Sequence, residues 1–278
     1  MHNSSSNRSW KGLLIPTIII VIWIGFGVTK KLNTGLFPSF GGVCQAFLYL
    51  AREGVLFTYV RASLFRVFFG FGLAVAVGVP LGLLLGCVPQ SQLWFGPTLH
   101  FLRQIPPTAW IPVFLLWFGI GEGSKLAVIF YAAVFPIVIN ASLGVQQIPK
   151  EYWEVSRALC LSPLKTLKTL VLPGSYYAVL AGLRLGMGTS WRALVAAEML
   201  ASTSGLGYLV MSSRALVRVD EMFVGIILIG FIGIFIDRLF VRLQNHMIPS
   251  WKWGVQKVRG EDFDHATSSV GTYIQEVQ

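Results

Sequence analysis

Residues 67–88 run for 22 positions without one charged side chain, and residues 126–145 do so for 20. About 20 apolar residues in a helix, rising ~1.5 Å each, cross the ~30 Å hydrocarbon core of a bilayer. Only a helix or a closed barrel satisfies its own backbone there. Four further apolar stretches, at 13–28, 103–125, 174–200 and 222–240, carry few charges. The sequence therefore predicts an all-α integral membrane protein with six transmembrane helices. Charged residues make up 12% of the chain, where about 25% is usual for a soluble one. The net charge of +10 resides in loops and tails, with no basic face interleaved with aromatics. That pattern fits the flanks of membrane spans, with lipid as the surroundings, and argues against a nucleic-acid partner.

The spans differ in character. Residues 13–28 follow a basic flank (Arg8, Lys11), lack a small-residue cleavage pattern and contain Pro16, Trp23 and Phe26. A retained first span is expected there, not a signal peptide. Between 30 and 66 the chain is mixed, and after Pro38 the helical spacing of Val43, Phe47 and Leu50 reads as a helix at the membrane surface. Gly78, Gly82 and Gly86 recur every four residues, which strips one helix face to backbone and lets another helix approach closely. Residues 89–103 read as a loop. Pro106, Pro107 and Pro112 predict an irregular start to the third span. Irregular backbone at membrane depth needs protein or a water-filled path to satisfy it, which makes Pro106 and Pro107 candidate path-lining residues. Residues 202–220 are polar, with Gly205-Leu206-Gly207 a predicted turn. Three regions result: a flank, first span and surface segment at 1–59, a core at 60–242, and a polar tail at 243–278.

Between the fourth and fifth spans lies KEYWEVSRALCLSPLKTLKTLVLP, residues 150–173, with four basic side chains (Lys150, Arg157, Lys165, Lys168) and two acids (Glu151, Glu154). At helical spacing Tyr152, Val155 and Leu159 share one face, and Leu164, Leu167 and Val171 make a second stripe. Ser162 as N-cap and Pro163 at the first helical position separate the two, and Pro173 closes the segment. Two short amphipathic helices joined by a turn predict a docking surface facing water.

Several chemistries are excluded. GIGEGSK, ending at Lys125, lacks the G-x-x-x-x-G-K-[ST] spacing of a phosphate-binding loop, so the chain has no ATP site of its own. The three cysteines show no metal-like spacing, and no metal site is expected. The four histidines (His2, His100, His246, His265) are scattered, which leaves a membrane-embedded enzyme without a catalytic constellation. An ATP-independent secondary transporter or channel is the alternative reading. It predicts an inverted repeat and coupling acids inside the spans, and neither is seen.

The intervals within 150–173 are specific. Glu154, Cys160 six residues on, then Leu170, Leu172 and Pro173 resemble the EAA loop of ABC-importer permeases, which reads E-A-A, three residues, G, nine residues, I, any residue, L-P. Val155 and Ser156 replace the alanines, Leu170 the isoleucine, and Cys160 the glycine. The loop is expected to survive that last exchange with altered backbone angles. RQIPPTAWIPVFLLWFGIGEGSK at 103–125, GLRLGMGTSWRALVAAEMLASTSGLGYLV at 182–210 and SLFRVFFGFGLAVAVGVPLGLLLG at 63–86 are similar to permeases of the nitrate, sulfonate, taurine and bicarbonate importer group. The resemblance covers roughly residues 60–242.

This resemblance implies a permease of six spans in the bacterial inner membrane, working as a pair that is expected to be a homodimer. Each copy would dock on a separate ABC ATPase that holds ATP and magnesium, while a substrate-binding protein delivers a small anion for import by alternating access. Glu154, Val155, Ser156, Arg157, Cys160, Ser162, Leu172 and Pro173 would form the coupling helix and its brace, with Glu154 meeting a basic group on the ATPase. Both termini would be cytoplasmic, and Lys/Arg bias between the loops modestly favours that orientation. Arg184, Trp191, Arg192 and Glu198 are candidates for the pathway or its gating. Arg184 and Glu198 stand fourteen residues apart, roughly 21 Å along a helix, so each needs a partner on another span, across the pair or in a wet cavity.

Overall fold

The structure, a computed structural model, describes residues 38–88 and 90–246 together with 17, 18, 21, 23 and 25. Apart from those five positions the expected first span at 13–28 lies outside the described residues, as does the tail beyond 246. Among the described residues every regular element is helical. The chain forms two compact units, Met1–Val241 and Arg242–Gln278, and the second is described only over 242–246.

α1 (Phe40–Arg52) begins where Ser39 Oγ accepts from Gly42 N at 3.0 Å, and left-handed Gly54 (φ +73°) turns the chain into the next helix. Val43 and Leu50 of the expected surface stripe point inward, onto Leu56, Leu209 and Val224, whereas Phe47 faces out. α2 (Val55–Cys87) starts twelve residues before the apolar run at 67. Its extra turns are amphipathic, and their polar Ser63 and Arg66 are buried. At 33 residues, about 50 Å, α2 exceeds the hydrocarbon thickness.

The expected loop at 89–103 is instead mostly helix, α3 (Ser91–Gln104). Its Leu93, Trp94, Phe95 and Phe101 stand exposed, which a water-facing loop would not favour. The prolines then split the third span as predicted. Pro106 is extended (ψ 136°), Pro107–Trp110 form a 3₁₀ turn, and α4 (Ile111–Phe118) follows. From Pro107 to Phe118 the apolar helix covers only about 18 Å.

α5 (Glu122–Gln146) leads to the polar segment: α6 (Lys150–Ala158), α7 (Pro163–Thr166), a wide π turn (Leu167–Val171) and α8 (Leu172–Ala201). Gly205 (φ +112°) makes the predicted turn, but Leu206 and Gly207 already belong to α9 (Leu206–Ala215), and α10 (Val219–His246) ends the described chain. Among the described residues four stretches are long and apolar enough to cross a membrane: Val55–Cys87, Glu122–Gln146, Pro163–Ala215 and Val219–Gln244.

α5 lies between α2 and α8 and meets both through glycines. A Cβ on Gly78 would stand 3.0 Å from Ile137, on Gly82 2.6 Å from the carbonyl of Val138, and on Gly86 2.8 Å from that of Ser142. From the other side Gly182 and Gly186 of α8 face the carbonyls of Pro136 and Ala133. Such small-residue ridges let backbones approach where no hydrophobic effect drives helices together. Val67, Phe71, Ile129, Ile137, Met187, Trp191 and Leu194 fill the remaining core.

Candidate functional site

The polar segment folds as two short helices joined by a turn. Ser156 Oγ lies 3.0 Å from Thr166 Oγ1 and ties the second helix to the first. The turn is a Schellman cap: Cys160 N donates to Arg157 O at 2.9 Å and Leu161 N to Ser156 O at 3.2 Å. Cys160 sits at the left-handed position of that cap with φ +48°. Glycine is the residue that such a cap favours, which gives a physical reason for the glycine expected here. The loop survives because one left-handed non-glycine residue costs only about 1–2 kcal/mol. Cys160→Gly is accordingly expected to stabilise the protein by about 1 kcal/mol, read as a raised thermal midpoint of the purified chain.

Two details differ from expectation. Ser162 stands at the N-cap, but its side chain makes no capping bond. Pro173 does not close the segment, because helix continues through it. A proline in a helix has no N–H to give and its ring collides with the carbonyl four residues back. The π turn immediately before it widens the backbone, with Leu172 N reaching back to Leu167 O.

The surface of this segment is apolar and charged together. Tyr152, Val155, Leu159 and Leu164 are 43%, 56%, 65% and 63% exposed. Glu154 is exposed in the fifth position of α6, so it is Glu151, not Glu154, that occupies the first turn near the helix dipole. No ion pair or hydrogen bond of the Glu154 side chain is found among the described residues. Arg157 is exposed as well, while Ser156 is buried. Leu170 and Val171 bury into the helical body, and Leu172 is 43% exposed.

The charges within the spans find partners on other helices. Arg184 of α8 makes a bidentate pair with Asp237 of α10, at 2.7 and 2.9 Å. Glu198, 1% exposed, accepts from Arg66 Nη1 at 2.8 Å, from Ser63 Oγ and from Gly207 N at 3.0 Å. Arg66 uses all five of its donors: two on Glu122 (2.6 and 2.8 Å), one on Glu198, and one each on Ser204 O and Ser204 Oγ (both 2.8 Å). Lys125, 4% exposed, donates to Glu122 at 3.0 Å. Ser63 Oγ accepts from Leu206 N, so α2 and α8 together cap the start of α9. Gly205 and Gly207 have no room for a side chain, since a Cβ at either would run into Glu198.

Sequence reasoning missed this cluster. It placed the positive charge in loops and tails, yet Arg66 and Lys125 are buried in helices. A readable signal was Ser63 and Arg66, three residues apart on one face of a helical pattern. Of the other candidates, Trp191 is packing, 5% exposed with Nε1 donating to Ile229 O at 3.2 Å. Arg192 is exposed and makes no ion pair among the described residues. Pro106 and Pro107 open the 3₁₀ turn, which packs against α5 and α8. That turn carries Trp110 Nε1, the buried side-chain polar atom that lacks a partner among the described residues.

Known proteins share both sequence and fold. The family described as "Binding-protein-dependent transport system inner membrane component" matches residues 78–252. The taurine transport system permease protein of Escherichia coli is 30% identical, over 86% of this chain and 88% of its own. The nitrate import permease protein of Synechocystis is 38% identical over 69% and 70%, and the bicarbonate transport system permease protein of Synechococcus elongatus 37% over 72% and 73%. A chain of the MetNI methionine ABC transporter in an inward-facing conformation superposes with TM-score 0.61 at 18% identity, covering 72% of this chain and 97% of that one. At that identity the likeness is one of fold.

Proposed function

The chain belongs to the family of binding-protein-dependent transport system inner membrane components, and on that premise we propose that it is the permease of an ATP-driven importer for a small oxyanion. The observation that carries this reading is the surface of residues 150–173. Glu154, without a side-chain partner among the described residues, stands there among exposed Tyr152, Val155, Leu159 and Leu164, on a segment braced from within by Ser156 and Thr166. Exposed apolar side chains ringed by charge fit a protein partner.

That partner is an ABC ATPase holding ATP and magnesium, with Glu154 meeting a cation on it. A second copy of this chain completes the path, and a substrate-binding protein supplies the anion. Both termini and residues 150–173 lie on the cytoplasmic side. The Lys/Arg bias between the loops supports this orientation. The names of the relatives support taurine, nitrate or bicarbonate as the class of substrate.

The test is ATP hydrolysis by the reconstituted complex with its binding protein. Glu154→Ala is expected to lower substrate-stimulated hydrolysis about tenfold or more while the complex still assembles, as loss of a charge-assisted hydrogen bond predicts. Uptake that proceeds without ATP and without a co-purifying ATPase would falsify the reading.

A further inference from the structure

We propose that Arg192 is an anion-contact residue inside the permease, a water-accessible guanidinium that takes a small oxyanion such as a sulfonate, nitrate or bicarbonate group; this rests on the importer reading. Arg192 lies nine residues before the end of α8. Its neighbour Ser190 donates to Ile129 O, which lies seven residues, about 10 Å, inside the start of α5. The residue therefore sits well within two membrane-length helices. Its Nη1 lies 3.8 Å from where a Cβ of Gly188 would stand, one turn back, the direction in which helical side chains lean.

The charges elsewhere on this helix are neutralised, Arg184 by Asp237 and Glu198 by Arg66. An exposed arginine that makes no ion pair among the described residues, at membrane depth, fits a water-filled path. The neighbourhood agrees. Ala193 and Ala197 seat α4 on one side of Arg192, and Trp191 holds α10 through Ile229 on the other. The stripe between them carries half-buried Gly188, which has no side chain to cover the guanidinium, and exposed Leu185 a turn beyond it. The proline-made 3₁₀ turn packs against the same helix. A planar guanidinium gives an oxyanion two parallel N–H bonds, which lysine cannot reproduce.

Two measurements test this. In the reconstituted complex, ATP-driven uptake of taurine, nitrate and bicarbonate is compared between wild type, Arg192→Gln and Arg192→Lys. Uptake of whichever anion the wild type carries should fall about ten- to a hundredfold in Arg192→Gln, with partial recovery in Arg192→Lys and hydrolysis still stimulated by the loaded binding protein. Unchanged uptake in Arg192→Gln overturns the proposal. Separately, Arg192→Cys is made in a chain whose Cys44, Cys87 and Cys160 are serine, and is treated with a membrane-impermeant thiosulfonate. Labelling that the transported anion slows supports the contact. No labelling, whether lipid or a second copy covers the position, overturns it. If the wild type carries none of the three anions with ATP, the importer reading fails, and the labelling still decides whether position 192 faces water.

Discussion

Arg66→Met is expected to destabilise the protein by about 3–5 kcal/mol, enough to leave little folded material after extraction in mild detergent. The methionine fills much of the same space but supplies none of the five hydrogen bonds that Arg66 gives to Glu122, Glu198 and Ser204. Glu198, whose side chain is 0% exposed, would keep only Ser63 Oγ and Gly207 N against its charge. A buried carboxylate that loses its cation costs far more than a pair is worth when both members are removed together. The double variant Arg66→Met/Glu198→Gln should therefore recover part of the loss, a coupling that a double-mutant cycle reads directly. Glu122→Gln should cost only about 1 kcal/mol, because the Glu122 side chain is 57% exposed and its amide still accepts from Lys125. Thermal midpoints and the monodisperse fraction on size exclusion order the variants. Arg66→Met within 1 kcal/mol of wild type, or no rescue by Glu198→Gln, would show that the cluster does not hold α2, α8 and α9 together as described.

Gly82→Leu should be nearly as damaging, by overpacking of at least about 1–3 kcal/mol. The atom that a Cβ would meet, 2.6 Å away, is the backbone carbonyl of Val138, and Ala141 Cβ lies at 2.7 Å. Neither can swing aside as a flexible side chain would, so α2 and α5 must separate. That separation also loosens the contacts made by Gly78 and Gly86 along the same ridge. Gly72 of the same helix provides the control, since a Cβ there meets nothing within 4 Å. Gly72→Ala should be neutral or stabilising by up to about 1 kcal/mol, through helix propensity alone. Equal midpoints for Gly82→Leu and Gly72→Ala would show that the glycines are not the contact between the helices.

Both predictions concern features that the sequence displayed unequally. The glycine spacing at 78, 82 and 86 was legible because it is periodic along one helix. Its partner was not, since Ile137, Val138 and Val145 are ordinary apolar residues in α5. A turn between two short helices was legible in residues 150–173, while its Schellman geometry and the left-handed angle of Cys160 needed coordinates. The segment at 89–103 was misjudged because its scattered polar residues and Pro97 hid a helix whose apolar residues face outward.

The sequence by itself determined the membrane class, most of the span positions, the split third span and the two-helix polar segment. Those properties rest on hydropathy, prolines and spacing within about 30 residues, where chain geometry is local. Only the tertiary structure decided which charges neutralise one another. Arg66 meets Glu198 across 132 residues of sequence and Arg184 meets Asp237 across 53. Such pairs are set by the depth and rotation of one helix against another, which depend on glycine contacts made in three dimensions and leave no periodic trace in either helix alone. The same step singles out Arg192, because its exposure becomes visible only once every neighbouring charge has found its partner.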